Sequence, residues 1–126
     1  MNRKINELKQ KSMDWLSNNL EFIEAGDDIE VATPLIGAYG DMIYCWIEKI
    51  DGYWRISDDS YLLFKLDPNQ EDLDFYSDAG DVVIGSGFEF DDDSGEIFCE
   101  VENEDEIPQA LNDLAQLQIA LTYLKN

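Results

Sequence analysis

The stretch from Met42 to Ser57 reads MIYCWIEKIDGYWRIS, and it decides the fold. Two runs rich in aromatic and branched side chains stand on either side of Asp51-Gly52, the dipeptide most typical of a short hairpin turn. Within each run, alternation places neighbouring side chains on opposite faces of a strand. The stretch therefore predicts two antiparallel strands, Met42 to Ile50 and Tyr53 to Ser57.

The segments before this hairpin predict a helix and two further strands. Apolar residues at helical spacing predict an amphipathic helix over residues 4–18, with Ile5, Leu8, Trp15 and Leu16 on one face. Strand-like runs follow over Leu20 to Glu24 and over Ile29 to Thr33, and Pro34 is expected to end the second.

The segments after the hairpin predict a short helix, a second hairpin and a final helix. Asp59 to Leu66 is expected to form a helix capped by an aspartate and stopped by Asp67-Pro68. Residues 69–86 have weak periodicity and are expected to be irregular. Phe88 to Phe90 and Ile97 to Val101 read as a hairpin, and Ile107-Pro108 opens a helix with a long apolar stripe.

These elements predict an α+β fold. Helices at both ends with antiparallel strands between them indicate a two-layer domain, in which a sheet of five to six strands is flanked by an N-terminal and a C-terminal helix. With 126 residues, 44% of them apolar, the chain is expected to form one domain over residues 1–126.

Charge limits the partners that the chain can have. It carries 29 acids against 8 bases and no histidine, a formal net charge of −21. Free nucleic acid and anionic membranes are bound through Lys and Arg, so both are excluded as direct partners. A basic, nucleic-acid-binding protein is the expected partner. Over the diameter of about 36 Å expected for this length, the net charge gives about one charge per 1.7 Å, as in duplex DNA.

No catalytic constellation is present in the sequence. Without histidine, serine–histidine and cysteine–histidine pairs and histidine-based metal sites are impossible. Asp58-Asp59 follows a strand, and this pair is interpreted as a structural turn or cap, as a partner contact, or as carboxylates of a metal-dependent catalytic site. The acidic loop Asp91 to Glu96 is interpreted as a solvated hairpin tip, a partner contact or a calcium site, although its glycine is out of register for an EF-hand. The chain is predicted to be no enzyme and to hold no cofactor or metal.

Two groups of residues are the candidate contacts with a partner. The phosphate-mimicking acids are Asp58, Asp59, Asp91, Asp92, Asp93, Glu96, Glu102, Glu104, Asp105 and Glu106. The aromatic candidates are Trp46, Tyr53 and Trp54, of which some must point away from the main core because they alternate along the strands. These aromatics either pack under a helix or anchor an interface.

The sequence also predicts a cytoplasmic setting. No apolar segment follows Arg3 and Lys4, so a signal peptide is not expected. The longest apolar run, Met42 to Ile47, is far shorter than the about 20 residues of a membrane span. Cys45 and Cys99 lie in strand-like segments and are interpreted as buried thiols of a reducing compartment.

Several stretches carry a family resemblance. They are the first helix with Trp15, a strand closing in Thr33-Pro34, the run Gly52-Tyr53-Trp54-Arg55-Ile56-Ser57-Asp58-Asp59-Ser60-Tyr61, and Ile107-Pro108-Gln109. Over residues 5–124 the chain resembles a bacterial and phage family known only as domain-of-unknown-function family 1828. It departs from the family at Ser60, where glycine is usual, and after Asp67, where the family's helix is missing. The resemblance implies a bacterial or phage origin and no assigned activity, and it makes phage–host conflict a reasonable context.

Two functions from different classes explain these features. The first is a mimic of nucleic-acid charge that inhibits a nucleic-acid-binding host protein, such as a CRISPR or restriction effector. The second is a protein–protein interaction or accessory module whose acids serve mainly solubility. A cation-binding or metal-dependent enzyme and a salt-adapted housekeeping protein are the remaining alternatives. High salt separates the first two, because it screens charge and leaves apolar contacts in place.

Overall fold

A computed structural model describes residues 2–125. Its helices are α1 (Asn2–Asn19), α2 (Tyr61–Leu66), α3 (Leu73–Gly85) and α4 (Ile107–Thr122), and a 3-10 turn over Glu104–Glu106 precedes α4. Its strands are β1 (Glu21–Ala25), β2 (Asp28–Ile36), β3 (Met42–Ile50), β4 (Tyr53–Ser57), β5 (Glu89–Phe90) and β6 (Ile97–Val101). Within the described chain, no helix combines the length and the apolar character needed to cross a membrane.

The six strands form one antiparallel sheet in the order β1-β2-β3-β4-β6-β5. Its centre is the predicted hairpin, in which Ile50 pairs with Tyr53 and Gly52 takes a φ of 88°. The second predicted hairpin pairs β5 with β6. The α+β fold with a helix at each end is thus confirmed.

The sheet has one face covered by helices and one face without them. Along β3, Ile43, Cys45 and Ile47 are buried beneath α4, whereas Tyr44, Trp46 and Glu48 alternate with them and are half-buried. We call the first side the helix-side face and the second the open face. Residues that pair across neighbouring strands lie on the same face, so the register assigns the residues of the other strands to these two faces.

The core lies between the helix-side face and two helices. Helix α4 contributes Leu114 and Leu121, and α3 contributes Phe75 and Val83, all buried. Each fully buried side chain of this kind stabilises the fold by about 1.5–3 kcal/mol relative to an exposed one. Ile56 of β4 lies fully buried at the middle of the same cluster.

The expectation that residues 69–86 are irregular is wrong, because α3 occupies Leu73–Gly85. The side chain of Asp72 accepts a hydrogen bond from the backbone N–H of Phe75 and so begins the helix. Gly80 and two adjacent valines give the segment a poor helix propensity. Burial of Phe75, Ala79 and Val83 against the core stabilises it instead. The chain therefore has a helix after Asp67, where the comparison with the family had suggested that one was missing.

Strand β2 continues beyond Pro34, although the proline was expected to end it. Regular pairing with β3 stops at Ala32 and resumes at Ile36 after a shift in register. Within this bulge, the hydroxyl of Thr33 donates to the carbonyl of Ile43 and accepts from the N–H of Leu35. A bulge tolerates proline because its residues are released from the ladder.

Candidate functional site

One long part of the chain contains acids and no base. Residues 66–124, which we call the base-free segment, hold 17 Asp and Glu residues and no Lys or Arg. The segment forms α3, β5, β6, the 3-10 turn and α4. Half of the bases, by contrast, lie on α1. The acids of this segment and half of the bases therefore lie on different helices and strands.

The candidate acids form two groups at opposite ends of β6. Asp91 to Glu96 precede the strand and Glu102 to Glu106 follow it. Asp59 lies near the first group, because the backbone N–H of its neighbour Asp58 donates to the carbonyl of Ile97. The five residues of β6 separate the groups by about 15 Å. The ten acids thus do not form a single cluster.

Acids on the open face lie between the two groups. Glu100 of β6 and Glu96, the residue before the strand, lie on that face, and Glu89 pairs across from Phe98 on the same face. Beside them on β3, Glu48 has a pKa raised by its burial and by nearby acids such as Asp28 and Glu96. The open face is therefore acidic along the whole length of β6.

Arg55 is the base that enters this acidic face. Its guanidinium lies 3.0 Å from a carboxylate oxygen of Glu100 and 3.7 Å from one of Glu96. It also lies 4.4 Å from the ring centroid of Phe98. The hydrogen bond that Arg55 donates to the Glu100 carboxylate raises the pKa of Arg55. One arginine between two glutamates leaves the face with a negative charge.

Asp58 is not available as a phosphate surrogate, because it is only 2% exposed. Its Oδ1 accepts backbone N–H groups from Ser60 and Ile97 at 2.9 Å, and its Oδ2 accepts that of Leu62 at 3.2 Å. It therefore ties β4 to β6 and accepts an N–H of the first turn of α2, whose N-cap residue is Ser60 and not an aspartate. Burial raises its pKa to about 6 against the opposing effect of these three N–H groups.

The hairpin tip from Asp91 to Glu96 is held by its first residue. Asp91 Oδ1 accepts the backbone N–H groups of Asp93 and Ser94. The hydroxyl of Tyr76 on α3 donates to the carbonyl of Asp92. Asp91 thus builds the tip, while the side chains of Asp92 and Asp93 lie exposed at its surface. Within residues 2–125, no group of three potential ligands is arranged to hold a metal ion.

The acids after β6 likewise include one that holds the backbone and others that are exposed. Glu106 Oε2 accepts the backbone N–H of Asn103 at 3.2 Å, so its carboxylate stabilises the start of the 3-10 turn. Glu102, Glu104 and Asp105 are exposed. Negative charge at this position also favours the N-terminal end of α4.

The three candidate aromatics lie on both faces of the sheet. Trp54 is on the helix-side face, where it packs against the core with the Lys49 ammonium 5.1 Å from its ring centroid. Trp46 and Tyr53 have the opposite parity and are half-buried on the open face. The expectation that some of these rings point away from the main core is confirmed.

Helix α3 adds a row of acids that the sequence analysis missed. Asp74, Asp78 and Asp81 are exposed and recur at i, i+4 and i+7, so they form one stripe on the helix side that faces away from the core. That spacing was readable in the sequence, but a helix had not been assigned there. Glu89 and Glu100 were missed because they are isolated in the sequence and join other acids only through strand pairing.

Both cysteines are free thiols. Cys45 is buried, and its burial raises the pKa of the thiol to about 12. Cys99 is half-buried, and burial raises the pKa of its thiol to about 11. Thiols with such pKa values are poor nucleophiles near neutral pH.

Comparison with known proteins identifies a family of unknown activity. A family model described as domain of unknown function DUF1828 matches residues 33–121. No curated protein matches the chain, and no solved structure does.

Proposed function

Because this chain belongs to the DUF1828 family, whose activity is unknown, we propose its function from the charges of its base-free segment. The protein is a non-enzymatic binding protein that imitates the charge of nucleic acid. Its target is the basic cleft of a nucleic-acid-binding protein, which it occupies in place of DNA. A restriction or CRISPR effector inhibited by a phage or prophage product is the biological setting that this function fits.

The observation that carries this proposal is the absence of Lys and Arg over residues 66–124, together with 17 acids in the same segment. A solubilising surface normally mixes both signs of charge. A surface of a single sign produces a long-range field that steers a partner of opposite sign. The single sign of charge in this segment is what a surface that binds a basic protein requires.

Secondary structure fixes the positions of these acids. The carboxylates of Asp74, Asp78 and Asp81 repeat along α3 about every 5–6 Å. Glu100 on β6 and Glu96 just before the strand are both held by Arg55. A ligand whose charges are already ordered loses less side-chain and loop entropy on binding than an acidic tail does. Such an array suits competition with duplex DNA, itself a regular array with one charge per about 1.7 Å.

Displacement of proteins from DNA tests the proposal. A bacterial lysate is loaded on duplex-DNA resin at physiological salt, and the resin is then washed with the purified protein. We expect release of a specific DNA-binding protein at micromolar concentrations of the chain. Bovine albumin, another acidic protein, should release none.

A pair of charge variants locates the surface. Neutralising four exposed acids of the base-free segment, with Asp92→Asn, Asp93→Asn, Glu104→Gln and Asp105→Asn, should reduce release by at least tenfold. The matched control neutralises Asp14, Glu21, Asp27 and Asp51, which are exposed acids outside the segment. The control should release the same protein as the unmodified chain. Equal activity of the two variants would contradict the assignment of the surface, and no release by any form would contradict mimicry.

The second candidate function is an interaction module, and the half-buried rings on the open face favour it. Trp46 and Tyr53 lie outside the core cluster, in a position to anchor an apolar partner. Such an interface should persist near half-molar salt, whereas binding through the acids should not. Trp46→Ala would then abolish capture of the partner, and the four neutralised acids would leave it unchanged.

A further inference from the structure

Helix α1 is an amphipathic helix whose apolar side is uncovered. Its 18 residues include none that is buried. Ile5, Leu8, Trp15 and Leu16 lie on one side of the helix, and each is about half exposed. Isolated helices of this length are marginal in water, and basic residues in the first turn oppose the helix dipole. Contact with another surface is therefore needed to stabilise α1.

An apolar groove on the body of the protein lacks a helix. Beside α4, over β1 and β2, lies an open groove of about 640 Å³. Phe22 and Leu35 line it and are 55% and 41% exposed. Ile107, Leu111 and Ala115 of α4 form its other wall. The groove has the position that a further helix of the helix layer would take, parallel to the sheet and next to α4.

The connection between α1 and the sheet is too short for α1 to reverse easily into this groove. Leu20 is the single residue between Asn19, the end of α1, and Glu21, the start of β1. Connections between a helix and the strand it packs on commonly have two to six residues. Leu16, in the last turn of α1, and Leu20 help to line the groove, so α1 joins the domain beside it. A helix from another molecule can enter the groove without such a reversal.

Charge and size both match α1 to the groove. Lys4 and Lys11 flank one side of the apolar stripe and Lys9 the other, while Glu104 lies on the groove wall and Glu24 shares the face of Phe22 on β1. A helix of 18 residues is about 27 Å long and about 10 Å wide. In a symmetric pair, each molecule buries half of the circumference of its helix and also its own groove. Together these two surfaces cover about 800 Å² per molecule, the size of a standard specific interface.

We infer that two copies of this chain form a twofold dimer in which the α1 helix of each copy occupies the groove of the other. The contact is isologous and closes on itself, so it does not propagate into fibres. The α4 wall of the groove and Glu104 belong to the base-free segment, whereas α3, the tip from Asp91 to Glu96 and the open face line none of it. This dimer is independent of the proposed function, and it would present two acidic surfaces instead of one.

Sedimentation equilibrium of the full-length chain tests the inference. The unmodified protein should have twice the mass of one chain at tens of micromolar, also near half-molar salt, because apolar contacts carry the interface. Leu8→Asp on the helix and Phe22→Asp in the groove should each raise the dissociation constant by on the order of a hundredfold, since each change removes two symmetry-related apolar contacts. Leu8 contributes nothing to the core, so its variant should fold normally, as circular dichroism would verify.

Two controls make the result specific. Ile84→Asp changes an apolar residue of α3 that is 64% exposed and distant from the groove, and this variant should remain dimeric. Mixing Leu8→Asp with Phe22→Asp should restore a heterodimer, because an intact helix then meets an intact groove once. A monomeric unmodified protein, a dimer insensitive to both variants, or no heterodimer in the mixture would overturn the inference. None of these results bears on binding through the acids.

Discussion

Asp58 is the acid whose role is set most clearly by its surroundings. It accepts three backbone N–H groups where β4, α2 and β6 meet. The hydroxyl of Ser57 donates to Glu96 at 2.7 Å and accepts the N–H of Asp59 at 2.8 Å. The Ser57-Asp58-Asp59 stretch, the most distinctive part of the family resemblance, therefore joins elements of the fold.

Asp58 gives the protein a pH-dependent stability. Its folded pKa of about 6 lies above the ordinary value of 3.8. The carboxyl therefore favours the folded state fully below about pH 3.8, and that contribution is lost as the pH rises through about 6. From pH 7 to pH 5 the free energy of unfolding should rise by about 1 kcal/mol more in the unmodified protein than in Asp58→Asn. Urea unfolding at both pH values measures this, and a pH-independent difference between the two proteins would contradict the assignment.

Ser60 occupies a backbone conformation that suits glycine. Its φ is 61°, in the left-handed region where a side chain is unfavourable. The departure from the family's usual glycine therefore costs stability without changing the turn. Ser60→Gly should stabilise the protein by about 1 kcal/mol. Ser77→Gly, the same change inside α3, should instead destabilise it by about 0.5 kcal/mol. Thermal unfolding of the two variants shows whether each change raises or lowers the stability. Stabilisation by both changes would contradict the argument.

At the scale of elements, α3 and β5 depend on each other. A Cβ atom added to Gly80 would lie 3.1 Å from the ring of Phe90 on β5. Gly80→Leu should therefore separate the helix from the strand and cost about 2–3 kcal/mol. The control is Gly85→Leu at the last position of α3, where nothing lies within 4 Å of an added Cβ. Urea midpoints should fall for the first variant only, and equal midpoints would show that this contact does not support the fold.

The same pair of elements shows how far the sequence could predict the fold. Local signals sufficed for the central hairpin, where Asp51-Gly52 forms the turn, and for α4, where Ile107-Pro108 begins the helix. They did not suffice for α3, because Gly80 is required by a contact with Phe90 that is distant in the sequence. Burial against the core overrides the poor local propensity of that segment.

The sequence predicted that the acidic runs are exposed, but not which single acids are buried or lie next to one another. Asp92, Asp93 and Glu102 to Asp105 are exposed as expected. Asp58 is buried because the backbone around it needs an acceptor, and a single sequence does not show whether an acid points outward or inward. The pairing of β6 with β4 and β5 places Glu89 and Glu100 beside Glu96. No spacing along the chain could have given that neighbourhood.

On the scale of the whole molecule, the charges and the apolar surfaces are segregated. Most exposed acids of the base-free segment lie around α3, β5, β6 and the 3-10 turn, whereas the basic helix α1 and the apolar groove adjoin β1, β2 and α4. A net charge of −21 disfavours a compact state through self-repulsion. The basic partner that we propose would relieve this repulsion on binding.

Affinity capture at two salt concentrations tests whether the acids bind a protein that handles nucleic acid. The immobilised chain is incubated with bacterial lysate at physiological salt and near half-molar salt, and mass spectrometry identifies the retained proteins. We predict that a nuclease or another nucleic-acid-binding protein is retained at the lower salt and lost at the higher, as screening requires. A partner that resists high salt, or retained proteins of which none handles nucleic acid, would contradict the claim.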